Sequence, residues 1–285
     1  VPPLVRRLPM MARRLRVLHV APFLWSGAGR VITALCESQA ETQEAAVVTS
    51  SPASGLRDWP AYRRRLRGAG IDVRRIDFFS RCPDVFWPGV WALRALAARW
   101  RPDVVHAHAG VPSCAAAAAR GGDVDYAIVS QVYSWGPGRP LWMDAMDCAG
   151  HRQAEVVVCS AAAYEQRLLA GGVSRDRLVR LAWGLDPATW AAVPLGATGG
   201  RRPGPAIGFV GRVEPRKGQL ALVRAFARLR RRLPHATLHL VGPVADQAYA
   251  ARVEAEVARL GLADSVTWRR AVSTVAPVVS RWDLF

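Results

Sequence analysis

Lysine and asparagine are almost missing from this chain of 285 residues, and cysteine is scarce. Lys217 is the only lysine beside 38 arginines, and asparagine does not occur. The five cysteines are an odd number without CxxC spacing, which argues against both a disulfide framework and a zinc site. Such cysteine usage fits the reducing cytoplasm best. The chain also lacks a run of about 18 apolar residues, so we expect no membrane-spanning helix.

The charge is strongly one-sided. The formal net charge is +17 at pH 7, and part of this excess reflects a general replacement of lysine by arginine. The remainder predicts an anionic partner, which could be nucleic acid, phospholipid or a phosphorylated substrate. Nucleic acid is disfavoured, because no helix-turn-helix, zinc finger or RNP-type aromatic motif is present.

Short apolar strands alternate with helices of about ten residues along the whole chain. This pattern predicts an α/β protein with parallel sheets, covered by helices on both faces. A segment rich in glycine and proline, 193–205, divides it into two Rossmann-like doubly wound domains, 11–192 and 206–285. The second contains about three strands, where such sheets usually have about five or six, so we expect it to be incomplete.

A glycine-rich segment follows the first predicted strand. Gly27 and Gly29 would let the backbone approach a phosphate at a helix N-terminus. The dinucleotide fingerprint needs a third glycine where Ile32 stands, and no acid follows the second strand, so a nicotinamide site is disfavoured. Contact with an anion and a ligand-free turn both remain open for this segment.

Two histidines end the fourth predicted strand. His106 and His108 point to one side of it, because side chains alternate with a period of two. His108 is nearer the carboxyl edge, where ligands bind in such sheets, and is therefore the favoured functional residue over a histidine satisfied in the core. A metal pair is rejected, because no third ligand lies at a useful spacing.

The strongest local signal is the segment GFVGRVEPRKGQ. Its strand ends at Gly211, Arg212 leaves the strand, and Lys217 is expected to open the next helix. The two cations can converge on a diphosphate, each contact being worth about 4 kcal/mol at 4 Å and a dielectric of 20, before desolvation. The alternative is a solvated basic turn.

Runs of arginine lie on two predicted helices, and a solvated face is their ordinary explanation. The first run precedes a group of aromatic residues, a combination that suits the surface of an anionic membrane. The arginines are Arg63, Arg64, Arg65 and Arg67, and the aromatic residues are Phe78, Phe79, Phe86, Trp87 and Trp91. Peripheral association with the inner membrane face is therefore a prediction.

Three segments in this order resemble glycosyltransferase family 4, whose members are retaining sugar-nucleotide transferases with the GT-B fold. They are RPDVVHAH (residues 101–108), the stretch 154–190, and the stretch 206–243. The resemblance implies a C-terminal domain that binds a nucleoside-diphosphate sugar and an N-terminal domain that binds an acceptor, with no metal or other cofactor.

By this resemblance Arg212 and Lys217 bind the donor diphosphate beside Gly211, and stabilise it as it leaves. His108 sits against the transferred sugar, and Gly27 and Gly29 approach the phosphate or the acceptor. The acceptor's class is not readable.

Two features depart from the family pattern. The family's pair of glutamates eight positions apart would follow Phe285, so we expect a truncated chain without activity of its own. The family's Asn-Gly-x-Asp is replaced by Trp183-Gly184-Leu185-Asp186.

The alternative function is a non-catalytic, basic two-domain protein that binds anions or lipid.

Overall fold

In the computed structural model of the chain, the described residues are 13–24, 26–51, 59–80, 82–133, 135, 140–184, 190–191, 203–269, 272 and 275–285. The chain divides into two compact units, Val1–Gly184 and Leu185–Phe285. Most of the predicted linker lies outside the described residues.

The first unit is a fully parallel sheet of seven strands in the order β3-β2-β1-β4-β5-β6-β7. The strands are β1 (Arg16–Ala21), β2 (Glu44–Thr49), β3 (Asp72–Arg75), β4 (Val104–His108), β5 (Ala127–Val132), β6 (Val156–Cys159) and β7 (Leu178–Arg180). The helices are α1 (Ser26–Ala40), α2 (Trp59–Gly68), α3 (Pro83–Trp100), α4 (Gly110–Ala119), α5 (Leu141–Arg152) and α6 (Ala162–Ala170). The predicted α/β class is confirmed.

Alternating residues of the strands fill two separate cores. On β2, Val47 belongs to a cluster with Ile32 of α1 and Leu66 of α2. Its neighbours Ala46 and Val48 belong to a larger cluster with α3, α4 and the later strands. Helices α1 and α2 therefore cover one face of the sheet, and α3 and α4 cover the other, as a strand period of two requires.

This division separates the two parts of the predicted membrane patch. The arginines lie on α2, where Arg65 pairs with Glu37 at 2.6 Å. Trp87 and Trp91 are exposed on α3, across the sheet. Phe78 and Phe86 are buried in the core, so only part of the aromatic group is available to a surface.

The second unit is a parallel sheet of three strands in the order β10-β9-β8. Its strands are β8 (Ala206–Val210), β9 (Thr237–Val241) and β10 (Val266–Arg269), and its helices are α7 (Gln219–Arg230), α8 (Gln247–Arg259) and α9 (Ala276–Val279). The last residues lie along the free edge of β8, where Leu284 forms a parallel bridge with Ile207. Trp282 packs directly on Gly208, and a Cβ added at this glycine would lie only 1.8 Å from the indole ring.

Several helices differ from the sequence prediction. The apolar pattern predicts a helix over 90–100, whereas α3 begins at Pro83 and runs through Pro88. Helix α5 and strand β7 were not predicted. The buried residues of α5 are Asp147, Cys148, Gly150 and His151, so hydrophobic periodicity does not reveal this helix. Among the described helices, none is both long and apolar enough to cross a bilayer.

Candidate functional site

A cluster of three histidines lies between β1 and β4 in the first unit. His19 pairs in register with His106, and His108 follows two residues later, so all three side chains project from one face. The ring centroids of His106 and His108 are 4.3 Å apart, and that of His19 is 5.3 Å from each. All three are buried.

Hydrogen bonds connect the cluster to its surroundings. His19 Nδ1 lies 3.0 Å from His108 Nε2, and His19 Nε2 lies 2.7 Å from Gln39 Oε1 on α1. His108 Nδ1 lies 2.8 Å from the hydroxyl of Tyr133. The buried Nε2 of His106 has no hydrogen-bond partner among the described residues.

Burial keeps these imidazoles neutral. It lowers the pKa of His19 to about 3 and that of His106 to about 4, because a charged ring would lose its hydration. Burial likewise lowers the pKa of His108 well below its usual value, with further lowering from His106 and His19. At neutral pH each ring therefore carries one N–H and one lone pair.

The reason for rejecting a metal pair was wrong, because His19 supplies a third imidazole from the neighbouring strand β1, far away in sequence. The three ligand atoms lie within 4.8 Å of one another. Yet His19 and His108 lie at hydrogen-bond distance, and no carboxylate or thiol from the described part of the chain joins the group. The arrangement is that of a hydrogen-bonded chain.

These pKa values predict that the protein loses stability in mild acid. In the unfolded chain these histidines have a pKa near 6.5, whereas in the folded protein His19 and His106 become protonated only at about pH 4 and below. Their contribution is fully present above pH 6.5 and falls as the pH drops, by up to about 1.4 kcal/mol per pH unit for each histidine. Urea unfolding of the chain between pH 7 and 4.5 measures this slope.

Comparison of two substitutions checks the assignment. His106→Gln should flatten the slope, whereas His235→Gln, at an exposed position of the second unit, should leave it unchanged. An equal slope in the wild type and both variants would contradict the prediction.

A strained residue follows His108 directly. Ala109 has φ 91° and ψ 171°, a region that is otherwise reached essentially by glycine. A chain of three contacts leads to its carbonyl from the other face of the sheet: His151 Nδ1 to Ser130 Oγ at 2.6 Å, Ser130 Oγ to Ser113 Oγ at 2.7 Å, and Ser113 Oγ to Ala109 O at 2.9 Å. The Ala109 carbonyl can only accept, so Ser113 donates to it. Each of the other two contacts is then a hydrogen bond only if Ser130 donates to Ser113 and His151 donates to Ser130.

Ala109→Gly should therefore stabilise the protein. Relief of about 1–3 kcal/mol of strain exceeds the added freedom of the unfolded chain, which costs up to about 1 kcal/mol. We expect the free energy of unfolding to rise by about 1 kcal/mol, measured by urea denaturation. The matched change Ala107→Gly, in the buried strand β4, should lower it. Destabilisation by both changes would show that Ala109 is unstrained.

Gly27 and Gly29 lie in the first turn of α1 rather than in a loop before it. Gly27 is exposed with open space around it. A Cβ on Gly29 would lie 2.8 Å from the backbone of Leu24 and 3.1 Å from Tyr62. Gly29 therefore allows the helix to pack closely, which sequence spacing alone does not distinguish from a phosphate-binding turn.

The second unit carries the two predicted cations at the carboxyl end of β8. Arg212 lies 3.1 Å from Glu214, which also accepts from Arg216 at 2.9 Å. Lys217 is exposed and ends a one-turn 3-10 helix, Pro215–Lys217, rather than opening α7. In the described part of the chain no carboxylate pairs with Lys217.

The strand ends around these cations approach one another closely. A Cβ on Gly211 would lie 3.9 Å from Lys217 Cδ, so the lysine side chain passes the end of β8. The side chain of Gln219 donates to the carbonyl of Arg212 at 2.8 Å and fixes the turn. Gly242, after β9, has φ 151°, and its missing Cβ would lie 1.9 Å from Gly211 O.

The structure thus brings Gly211, Arg212 and Lys217 together in the second unit. In the first unit, α1 reaches the histidine cluster through Gln39, near the opposite end of that helix from Gly27 and Gly29. Sequence reasoning missed His19, Gln39 and Tyr133. A signal existed for Tyr133, which follows β5 at the edge where ligands bind. No signal existed for His19, in the middle of a buried strand.

Two family models cover most of the chain. Glycosyltransferase Family 4 matches residues 25–189, and Glycosyl transferases group 1 matches residues 204–285. This chain belongs to glycosyltransferase family 4. A curated relative of this family 4 chain, glycogen synthase from Mycobacterium tuberculosis, is 35% identical over 164 residues. That match covers 52% of this chain and 37% of the relative, so the chain spans well under half of it.

Solved structures share the GT-B fold with this family 4 chain. Alr3699/HepE from Anabaena, in complex with UDP and glucose, has a TM-score of 0.73 at 17% identity, covering 95% of this chain and 73% of that one. Sucrose-phosphate synthase from Thermosynechococcus elongatus has a TM-score of 0.71 at 16% identity, covering 95% and 74%. These likenesses concern the fold.

Proposed function

We propose that the protein is a glycosyltransferase that moves a sugar from a nucleoside diphosphate to an acceptor, with retention of anomeric configuration. The observation that carries this proposal is the pair Arg212 and Lys217 at the carboxyl end of β8 in a family 4 chain. A cationic side chain that directly follows a strand and a second one beyond a short turn can together contact a diphosphate.

The chemistry follows from these charges. As the bond between the sugar and the diphosphate breaks, negative charge develops on the leaving oxygen. Arg212 and Lys217 are cationic donors that stabilise this charge without a metal, so we propose a metal-independent reaction with no further cofactor. Glu214 keeps Arg212 oriented in the free protein.

We assign the first unit to the acceptor and the transferred sugar, with His108 as the central residue. Its ring is buried and both of its nitrogens are engaged, by His19 and Tyr133. Contact between this imidazole and a sugar therefore requires one of those hydrogen bonds to be exchanged. Gly27 is the exposed glycine of the first helix and the one available to an acceptor.

The donor is proposed to carry uridine, because Anabaena Alr3699/HepE binds UDP and UDP-glucose in its solved complexes. Calorimetry of the chain with UDP and with GDP tests this. Saturable binding of UDP supports the proposal, and absence of binding to either nucleotide contradicts it for this chain.

The non-catalytic alternative predicts something different. A purely electrostatic anion binder would bind any polyanion, with an affinity that falls steeply as salt is added. Inorganic tripolyphosphate competing as well as UDP at equal charge would favour that alternative.

Association with an anionic membrane stays a prediction. In favour of it, Phe79, Trp87 and Trp91 are exposed. Against it, the arginines of α2 lie across the sheet from Trp87 and Trp91, so the basic and aromatic residues do not form one continuous patch.

A further inference from the structure

We propose that the outward face of helix α3 is a surface for self-association, on which a second copy of this chain packs its own α3 in the antiparallel direction. The inference goes beyond the proposed function and does not depend on it, because it concerns a helix face and not the donor site.

Helix α3 is apolar on both of its faces. Its inner face packs into the larger core of the first unit through residues that include Phe86, Val90 and Leu93. Its outer face carries Trp87 and Trp91, which are 49% and 64% exposed. The outer face of a helix that covers a core is ordinarily polar, so two exposed tryptophans one turn apart indicate a contact surface.

The exposed side chains of α3 form one stripe, because they recur every three or four residues. The stripe consists of Asp84, Trp87, Trp91, Ala95 and Ala98. Its large side chains lie in the first half and its small ones in the second. An antiparallel copy therefore places Trp87 over the partner's Ala95 and Ala98, and sets Trp91 beside its own copy at the two-fold axis. Large residues then face small ones, as interdigitating helices require.

Charge determines the direction and the register of this pair. Asp84 precedes Trp91 by seven residues and Arg99 follows it by eight, so a two-fold axis beside Trp91 brings each Asp84 next to the partner's Arg99. Both side chains are exposed, and within the described part of the chain no ion pair engages either one. A parallel pair would instead place the two aspartates together, which like-charge repulsion disfavours.

An anionic bilayer is the other surface that could cover two tryptophans, and the charges of α3 disfavour it. Asp84 lies on the exposed stripe itself, where anionic lipid would repel it. Arg94, in the middle of the helix, donates to Gly121 O at 2.7 Å and to Asp123 at 2.9 Å, so its charge is already engaged. A second copy, by contrast, supplies the charge that Asp84 lacks.

The size of the contact indicates its strength. The exposed parts of the four tryptophans in a pair amount to about 500 Å², since an indole side chain can bury up to about 250 Å². A stable interface usually buries about 1,600 Å² in total. We therefore expect a weak dimer, with a dissociation constant of about 10–100 µM.

Sedimentation velocity across micromolar concentrations tests the pair. The wild type should change from monomer to dimer as its concentration rises. Trp91→Glu should weaken the association more than about tenfold, because it removes a central aromatic contact from both copies. Trp142→Glu is the matched control, since Trp142 is 56% exposed but lies on α5, and it should leave the association unchanged. Circular dichroism shows whether each variant folds.

An exchange of charges tests the antiparallel register. Asp84→Arg and Arg99→Asp should each weaken the dimer about fivefold, because each variant brings like charges together twice in the pair. The double variant should associate like the wild type. Within one helix the two positions lie about 22 Å apart, so this restoration can arise only between copies.

Three results would overturn the inference. The first is a monomer at every concentration; pelleting with phosphatidylglycerol vesicles that Trp91→Glu abolishes would then assign the face to a membrane. The second is equal weakening by Trp142→Glu and Trp91→Glu. The third is a double charge variant that associates no better than the single ones.

Discussion

Lys217→Ala should weaken UDP binding about thirtyfold, whereas Arg216→Ala should change it little. A charge-assisted hydrogen bond to phosphate is worth about 2 kcal/mol, which corresponds to that factor. Lys217 is exposed beside the end of β8, and its ammonium is a compact point charge. Arg216 lies next to it in the same short helix but already pairs with Glu214.

The two variants are matched because each removes one positive charge from neighbouring positions. Isothermal titration with UDP at constant salt measures both. If the protein binds anions only through its overall charge, the two variants will lose affinity equally, and that result would remove Lys217 from the donor site. Lys217→Arg adds a geometric check, because a planar guanidinium does not replace the ammonium freely.

Gly242→Ala should unfold much of the second unit and abolish UDP binding. The new Cβ would lie 1.9 Å from Gly211 O, and the backbone at φ 151° is strained for any side chain. We expect a loss of about 3 kcal/mol or more in the free energy of unfolding, because two strand ends would have to separate. Since Arg212 directly follows Gly211, this separation also disrupts the donor site.

Gly261→Ala is the control for this prediction. Gly261 also has a positive φ, of 66°, but open space surrounds its missing Cβ. Only the left-handed backbone is penalised there, at about 1 kcal/mol. Urea unfolding followed by tryptophan fluorescence compares the two, and similar losses in both variants would mean that β8 and β9 do not approach so closely.

Most strands and the α/β class could be predicted from the chain because burial on both faces makes parallel strands continuously apolar. The apolar run 206–210, for example, predicts a strand, and β8 occupies those residues. The alternation of strands with helices then required parallel pairing. Helix α5 could not be found in this way, because it buries an aspartate, a glycine and a histidine in close contact with α4.

The glycine segment shows a different limit. Gly27 and Gly29 fit a phosphate-binding turn and a helix start equally well by spacing. The structure places both in the first turn of α1 and shows why Gly29 is a glycine, because the backbone of Leu24 lies too close to it for any side chain. Such steric contact between segments has no signature in local sequence.

The sequence by itself determined the fold class and the two-cation turn after β8, because apolar periodicity and a strand–turn–helix pattern are local properties of the chain. Only the tertiary structure decided how the histidines are used. The parallel register of β1 and β4 sets His19 beside His106, 87 positions apart, and α1 brings Gln39 to the inner end of the cluster. Strand register and helix packing depend on the whole sheet, so no local pattern in the sequence reveals that these histidines meet.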